Sequence, residues 1–232
     1  MNLSSHIFLD NYLLEVKLVE RISSVLIKDI EQNGIAYLLL SGGSTPINLY
    51  RLLSEVDMPW EKVVVGLVDE RFVTTKDSSS NERMIRQVFL KNFAMRANFI
   101  GLVYHPDNIE LNLTESIERN KVFFNELSCV LLGMGSDGHT ASLFPNDKNS
   151  TLALKDDLKS SLVITNSPSA PIKRITFNKE TLMNSKTILL YFRGEDKMQV
   201  FSKAKLKKDS LNLPISSFIH QNKRLVEVFW TL

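Results

Sequence analysis

In the stretch LLGMGSDGHTASLFP, residues 131–145, three glycines frame Asp137 and His139. An acid two residues from a histidine on a glycine-rich turn can orient or polarise the imidazole, whose charge changes near neutral pH. Such a pair can serve as a general base. A second candidate is SGGSTP, residues 41–46. The adjacent glycines Gly42 and Gly43 let backbone amides approach an anion, and Ser44 and Thr45 add hydroxyl donors. A helix starting near Pro46 would aim its positive end at the same point. These features describe a phosphate cradle. It is not the nucleotide P-loop, which needs GxxxxGK and its lysine, nor the dinucleotide fingerprint GxGxxG. The third candidate is DER, Asp69–Arg71, where two carboxylates adjoin a guanidinium fork suited to an anionic or carbonyl oxygen.

Each stretch also has a plainer reading. Loop glycines can merely turn the chain around a histidine that fills the loop, SGGSTP can be a tight turn with a serine cap, and DER can be a structural salt-bridge network. For His139 the rival chemistry is a metal site, but His6, His105 and His220 have no ligand-like spacing to it, and the single cysteine adds no ligand cluster.

What positions these stretches is visible just before each of them. Residues 36–40, 63–68 and 130–132 are continuous apolar runs, which suit strands buried on both faces. They open directly into SGGSTP, DER and the histidine loop, and open α/β sheets hold ligands outside the carboxyl ends of their strands. Apolar residues at helical spacing predict a long helix over about residues 8–32, stopped by Asn33 and Gly34. Pro46 is expected at the first helical position of a helix running through Ser54. Further helices are predicted over 82–93, 111–127, 178–184 and 197–207, and further strands over 99–103, 162–165, 174–177, 187–192 and 225–230. Pro168 and Pro171 mark a bend, and residues 146–160 show no assignable pattern. Strands alternating with helices predict an α/β fold, a doubly wound, mainly parallel sheet flanked by helices.

The 232 residues fit one large domain, residues 1–232, with 44% apolar and 23% charged residues as in ordinary globular proteins. A net charge of +2 leaves only a local nucleic-acid footprint open. The one dense basic run, Lys203, Lys205, Lys207 and Lys208, reads as complementing a helix dipole. Cys129 alone excludes an intramolecular disulfide, fits a reducing cytoplasm, and reads as a core residue. No window is apolar enough to span a bilayer. No nucleic-acid or membrane partner is expected, and the chain is expected to be a monomer or weak homo-oligomer.

The ordered set SGGSTP, DER with the later SSSN, GMGSDGHTASLFP, KRIT and GEDK resembles the 6-phosphogluconolactonase family, which is related to the glucosamine-6-phosphate deaminase/isomerase family. The resemblance implies the Rossmann-like fold shared by those two families. It further implies hydrolysis of 6-phosphogluconolactone to 6-phosphogluconate, in the oxidative pentose phosphate pathway, with no metal or organic cofactor. His139 matches the family's proposed general base and Asp137 its acidic partner. Gly42, Gly43, Ser44 and Thr45 match the phosphate loop, with Arg174 and Lys197 as cationic partners of the phosphate. Arg71 matches a residue for the lactone end or the developing oxyanion. Asp69 and Glu70 are assigned only to the wall of the site.

Two other functions compete. In the deaminase/isomerase family the stretch after the histidine resembles DGHIAFNEP, with a glutamate before the proline that supports the histidine in ring opening. Phe144 stands there in this chain and cannot hydrogen-bond an imidazole. A non-catalytic sugar-phosphate sensor would keep the phosphate loop but could dispense with Asp137 or His139. Both residues are present here.

Overall fold

The computed structural model describes residues 1–232. Its first strand, β1 (Leu3–Phe8), leads through Asp10, whose side chain accepts from Leu13 N, into α1 (Asn11–Asn33). That helix ends where Gly34 turns into the left-handed conformation, φ 78, and returns its N–H to the Ile30 carbonyl. There follow β2 (Ala36–Leu40), α2 (Ile47–Ser54), β3 (Val63–Leu67), β4 (Asp69–Arg71), α3 (Asn81–Val88), β5 (Asn98–Phe99) and α4 (Ile109–Arg119). The second half holds β6 (Leu127–Leu132), α5 (Lys148–Ala153), β7 (Leu162–Asn166), β8 (Lys173–Phe177), α6 (Lys179–Met183), β9 (Ser185–Arg193), α7 (Glu195–Leu206), α8 (Ser216–Ile219) and β10 (Val226–Thr231).

Seven strands form one sheet in the order β1-β10-β9-β6-β2-β3-β5, and every pairing in it is parallel. The central strands are the continuous apolar runs, and all six residues of β6 are buried. Order reverses between β6 and β2, whose chain exits carry the histidine loop and SGGSTP. That is where an open α/β sheet leaves a crevice. Cys129 lies within β6, where burial pushes its thiol up to about 12, so it is a core side chain and not a nucleophile. No helix is long and apolar enough to cross a membrane.

A second, three-stranded antiparallel sheet, β4-β8-β7, roofs this crevice. The sequence places DER at the end of the strand over 63–68, but the chain changes sheets there. Val68 still donates to the Leu40 carbonyl of β2, while its own carbonyl accepts from Phe177 N of β8. One residue later the backbone belongs to β4. Both sheets share a single cluster of 53 buried apolar residues, which includes Leu40 and Val65 from one and Ile175 and Phe177 from the other.

Other differences have local causes. β1 carries no clear period because it is an edge strand, bonded only to β10 and largely exposed. The helix expected over 111–127 stops at Arg119, because the Asn120 side chain donates to the carbonyls of Gly101 and Ser116 and turns the chain. Leu127 already belongs to β6. Of the strand expected over 99–103, only Phe99 pairs with β3, together with Asn98 just before it. Residues 146–160 contain α5, started by an Asp147 side chain that accepts from Ser150 N. Pro46 is the cap preceding α2 and not its first residue. Lys197 lies in the first turn of α7, which begins at Glu195, two residues earlier than the spacing suggests.

Candidate active site

A cleft of about 500 Å³ opens at the carboxyl ends of β2, β6 and β9, under the small sheet. Among its walls are the nine residues expected to be catalytic or substrate-binding: Gly42, Gly43, Ser44 and Thr45 after β2, Asp137 and His139 after β6, Arg71 and Arg174 from β4 and β8, and Lys197 from α7.

The glycine loop is fixed at both sides. From α2 the Tyr50 hydroxyl donates to the Ser41 carbonyl at 2.6 Å. Gly42 packs so tightly on Asn81 that a Cβ there would fall inside the Asn81 carboxamide, which itself donates to the Asp69 carbonyl at 2.9 Å. Helices α1, α3, α4, α5 and α6 each begin with a side chain that accepts a first-turn amide, from Asp10, Ser80, Asn108, Asp147 and Asn178. The two helices that begin at the cleft, α2 after Pro46 and α7 after Gly194, have no such cap. At α2 the first amide, Ile47 N, reaches only the Ser44 carbonyl at 3.4 Å. The positive end of each helix dipole is therefore turned to the cleft with no side chain capping it.

The histidine turn is closed by backbone bonds, Gly135 N to the His139 carbonyl at 2.9 Å and Gly138 N to the Gly135 carbonyl at 3.0 Å. The Thr140 hydroxyl ties it back to the Gly133 carbonyl at 2.8 Å. One oxygen of Asp137 receives both His139 N, at 3.1 Å, and His139 Nδ1, at 2.5 Å. Since a carboxylate only accepts, Nδ1 carries a proton, so in the neutral ring the lone pair is on Nε2, which has no protein partner. Phe144 leans on the imidazole, ring centroids 4.8 Å apart, and the Arg174 guanidinium lies over its ring, 5.8 Å from the centroid. Asn146, just beyond, takes the left-handed conformation, φ 57, that asparagine tolerates.

Burial raises the Asp137 pKa, but the hydrogen bond and charge of His139 and the backbone amides outweigh it and hold the carboxyl below its ordinary value. The stability this lends is present above the unfolded carboxylate pKa of about 3.9 and lost as pH falls through the lower folded value. Asp137→Asn should therefore be less stable than the parent at pH 7, with a smaller gap at about pH 3, below the unfolded carboxylate value. Urea unfolding at the two pH values measures it, and a gap independent of pH would contradict the linkage.

Arg71 and Arg174 face one another as register partners of β4 and β8. Neither has a carboxylate partner. Arg71 is held by the Ser79 carbonyl, and Arg174 donates Nε to the Pro171 carbonyl at 2.9 Å and Nη2 to Ser167 Oγ at 3.4 Å. Burial and then the Arg71 charge lower the Arg174 pKa, against the pull of Asp69 and Glu70. Two guanidinium groups so placed favour an anion between or beside them. Asp69 lines the cleft and accepts from the Ser142 hydroxyl at 2.5 Å. Glu70 does not share that wall. Its carboxylate turns away to accept the amides of Arg71, Asn81 and Glu82, each at 2.7 Å, and the Ser80 hydroxyl at 3.0 Å, starting α3. Burial pushes its pKa up to about 7 against those four donors.

Several wall residues have no counterpart among the sequence candidates. Asn81, Ser142, Ser167, Ser169 and Tyr191 all line the cleft. The prolines at 168 and 171 marked the bend that brings Ser167 and Ser169 in, whereas Tyr191 sits inside an apolar strand and gives no pattern to read. No three His, Cys, Asp or Glu side chains converge as they would to hold a metal ion.

The chain matches, over residues 10–230, the family described as glucosamine-6-phosphate isomerases/6-phosphogluconolactonase. It is 31% identical over 230 residues to a 6-phosphogluconolactonase of Rhizobium meliloti, covering 99% of each chain. To the 6-phosphogluconolactonase of Mesorhizobium japonicum it is 34% identical over 224 residues, 96% of this chain and 93% of the relative. The crystal structure of a 6-phosphogluconolactonase from Shewanella baltica OS155 superposes with a TM-score of 0.93 at 36% identity, covering 98% of this chain and 97% of that one.

Proposed function

From the premise that this chain belongs to the family of glucosamine-6-phosphate isomerases and 6-phosphogluconolactonases, we propose that it hydrolyses 6-phosphoglucono-1,5-lactone to 6-phosphogluconate. Within that family the observation that carries the choice is the company kept by His139. Its ring is oriented by Asp137 on one nitrogen and packed by the apolar Phe144, which stands where the isomerases' supporting glutamate would be, and no second carboxylate bonds the ring.

In this mechanism Nε2 of His139 takes a proton from water as the water oxygen bonds to the lactone carbonyl carbon. The Asp137 carboxylate stabilises the imidazolium that results and keeps the ring in the required tautomer. Negative charge develops on the carbonyl oxygen, where Arg71 is the candidate donor. Collapse of the tetrahedral intermediate breaks the bond to the ring oxygen, which receives the proton back from Nε2, and the new carboxylic acid ionises. Water is the only co-reactant, so no cofactor is invoked. The phosphate lies on Gly42, Gly43, Ser44 and Thr45 and the start of α2, with Arg174 and Lys197 supplying positive charge. We read residues 1–232 as one domain, which the core shared by both sheets supports. A single buried thiol is in keeping with a cytoplasmic setting and a small-molecule partner.

The test is a parallel assay of purified protein with 6-phosphoglucono-δ-lactone and with glucosamine 6-phosphate. Lactone turnover without ammonia release is expected, and ammonia release with no lactone turnover would overturn the reading. Arg174→Ala probes the phosphate end. A charge-assisted hydrogen bond is worth about 1.5–3 kcal/mol, so KM should rise by about tenfold or more while kcat stays within about threefold. An unchanged KM removes Arg174 from the phosphate site.

A further inference from the structure

Beneath the glycine loop lies a carboxylate that the mechanism above does not use. Glu15, on α1, is fully buried, yet it forms no ion pair. A buried carboxyl group demands hydrogen-bond partners, and an apolar side chain would pack there without that demand. Its two oxygens have different tasks. Oε2 accepts from Asn48 Nδ2 at 2.6 Å, and Oε1 faces the Tyr191 hydroxyl at 3.1 Å. That hydroxyl is also within 2.9 Å of Asn11 Oδ1, on the first residue of α1.

The two partners of Glu15 both belong to the cleft. Tyr191, from β9, lines it. Asn48 is the second residue of α2, the helix whose uncapped N-terminus follows SGGSTP. Its side chain would otherwise extend into solvent, since the residue is exposed. The carboxylate thus ties the first turn of α2 to α1 and to β9. It fixes the direction in which the uncapped first turn of α2 points. Asp137, His139 and Phe144 lie on the β6 loop and have no bond to this network.

We propose that Glu15 is a positioning residue for the phosphate end of the site, acting through Asn48 and Tyr191. The inference rests on the phosphate assignment made above, and its test separates the two. Glu15→Ala should weaken 6-phosphogluconate binding by about tenfold and raise KM by a similar factor, with kcat within about threefold of the parent. Glu15→Gln keeps a side-chain oxygen to accept from Asn48, so it should recover most of that loss. Asn48→Ala should reproduce the Glu15→Ala effect, and the double variant should lose no more than either single one, as for residues acting in one network. If Glu15→Ala does not fold, Asn48→Ala carries the comparison. A folded variant with unchanged 6-phosphogluconate affinity, or one that loses kcat while KM holds, overturns the proposal in favour of a packing role. Should the parent protein bind 6-phosphogluconate but turn over no lactone, the hydrolase reading fails, while the affinity comparison still decides the role of Glu15.

Discussion

His139→Asn is expected to lower kcat about a thousandfold and to change 6-phosphogluconate affinity by less than about threefold. General-base catalysis contributes on the order of a hundred to ten thousandfold, and asparagine removes the base while leaving a polar side chain in the turn. The turn itself is closed by backbone bonds from Gly135 and Gly138 and by the Thr140 hydroxyl, none of which uses the imidazole. Binding should therefore persist, because the candidate phosphate contacts come from other strands, through SGGSTP, Arg174 and Lys197. A drop in kcat with KM preserved identifies a group that acts in the transition state. Equal loss of turnover and binding would instead make His139 a structural residue of the loop.

Gly135→Ala should cost about a hundredfold in kcat without touching any reacting group. A Cβ at this position would overlap the His139 ring and stand 2.7 Å from Asp137 Oδ1. The obstacle is a pair of side chains locked together, so accommodation means moving the imidazole off Asp137. A displacement of about 1 Å at a reacting group can cost that much in rate. The Asp137 contribution to stability should fall as well, since its partner is displaced. Activity of Gly135→Ala within about threefold of the parent would show that the dyad tolerates displacement, and the orienting role of Asp137 would have to be abandoned.

The parts of the fold that could be read from sequence are those whose chemistry is local. β2 and β6 announce themselves because strands buried on both faces must be apolar throughout, and each stops at a serine or glycine where the backbone leaves the sheet. Asp137, His139, SGGSTP and DER were visible for the same reason, as polar clusters directly after such runs. What sequence could not supply was the second sheet. DER follows β3 without a break, and the hand-over at Val68 depends on Phe177, a residue more than a hundred positions away. Glu70 was misplaced with it, since only the long-range pairing of β4 with β8 turns one carboxylate to the cleft and its neighbour to α3. Tyr191 and Glu15 were invisible in turn. One lies in an apolar strand and the other among the buried positions of an amphipathic helix, and their meeting is tertiary.

The most direct measurement is proton release in a pH-stat as the wild-type protein is added to freshly prepared 6-phosphoglucono-δ-lactone, with the spontaneous rate subtracted. One proton per lactone opened, at a rate that rises in proportion to protein concentration, is the expected result. A rate equal to the spontaneous one, from folded protein that still binds 6-phosphogluconate, would contradict lactone hydrolysis and leave a sugar-phosphate binding protein without this activity.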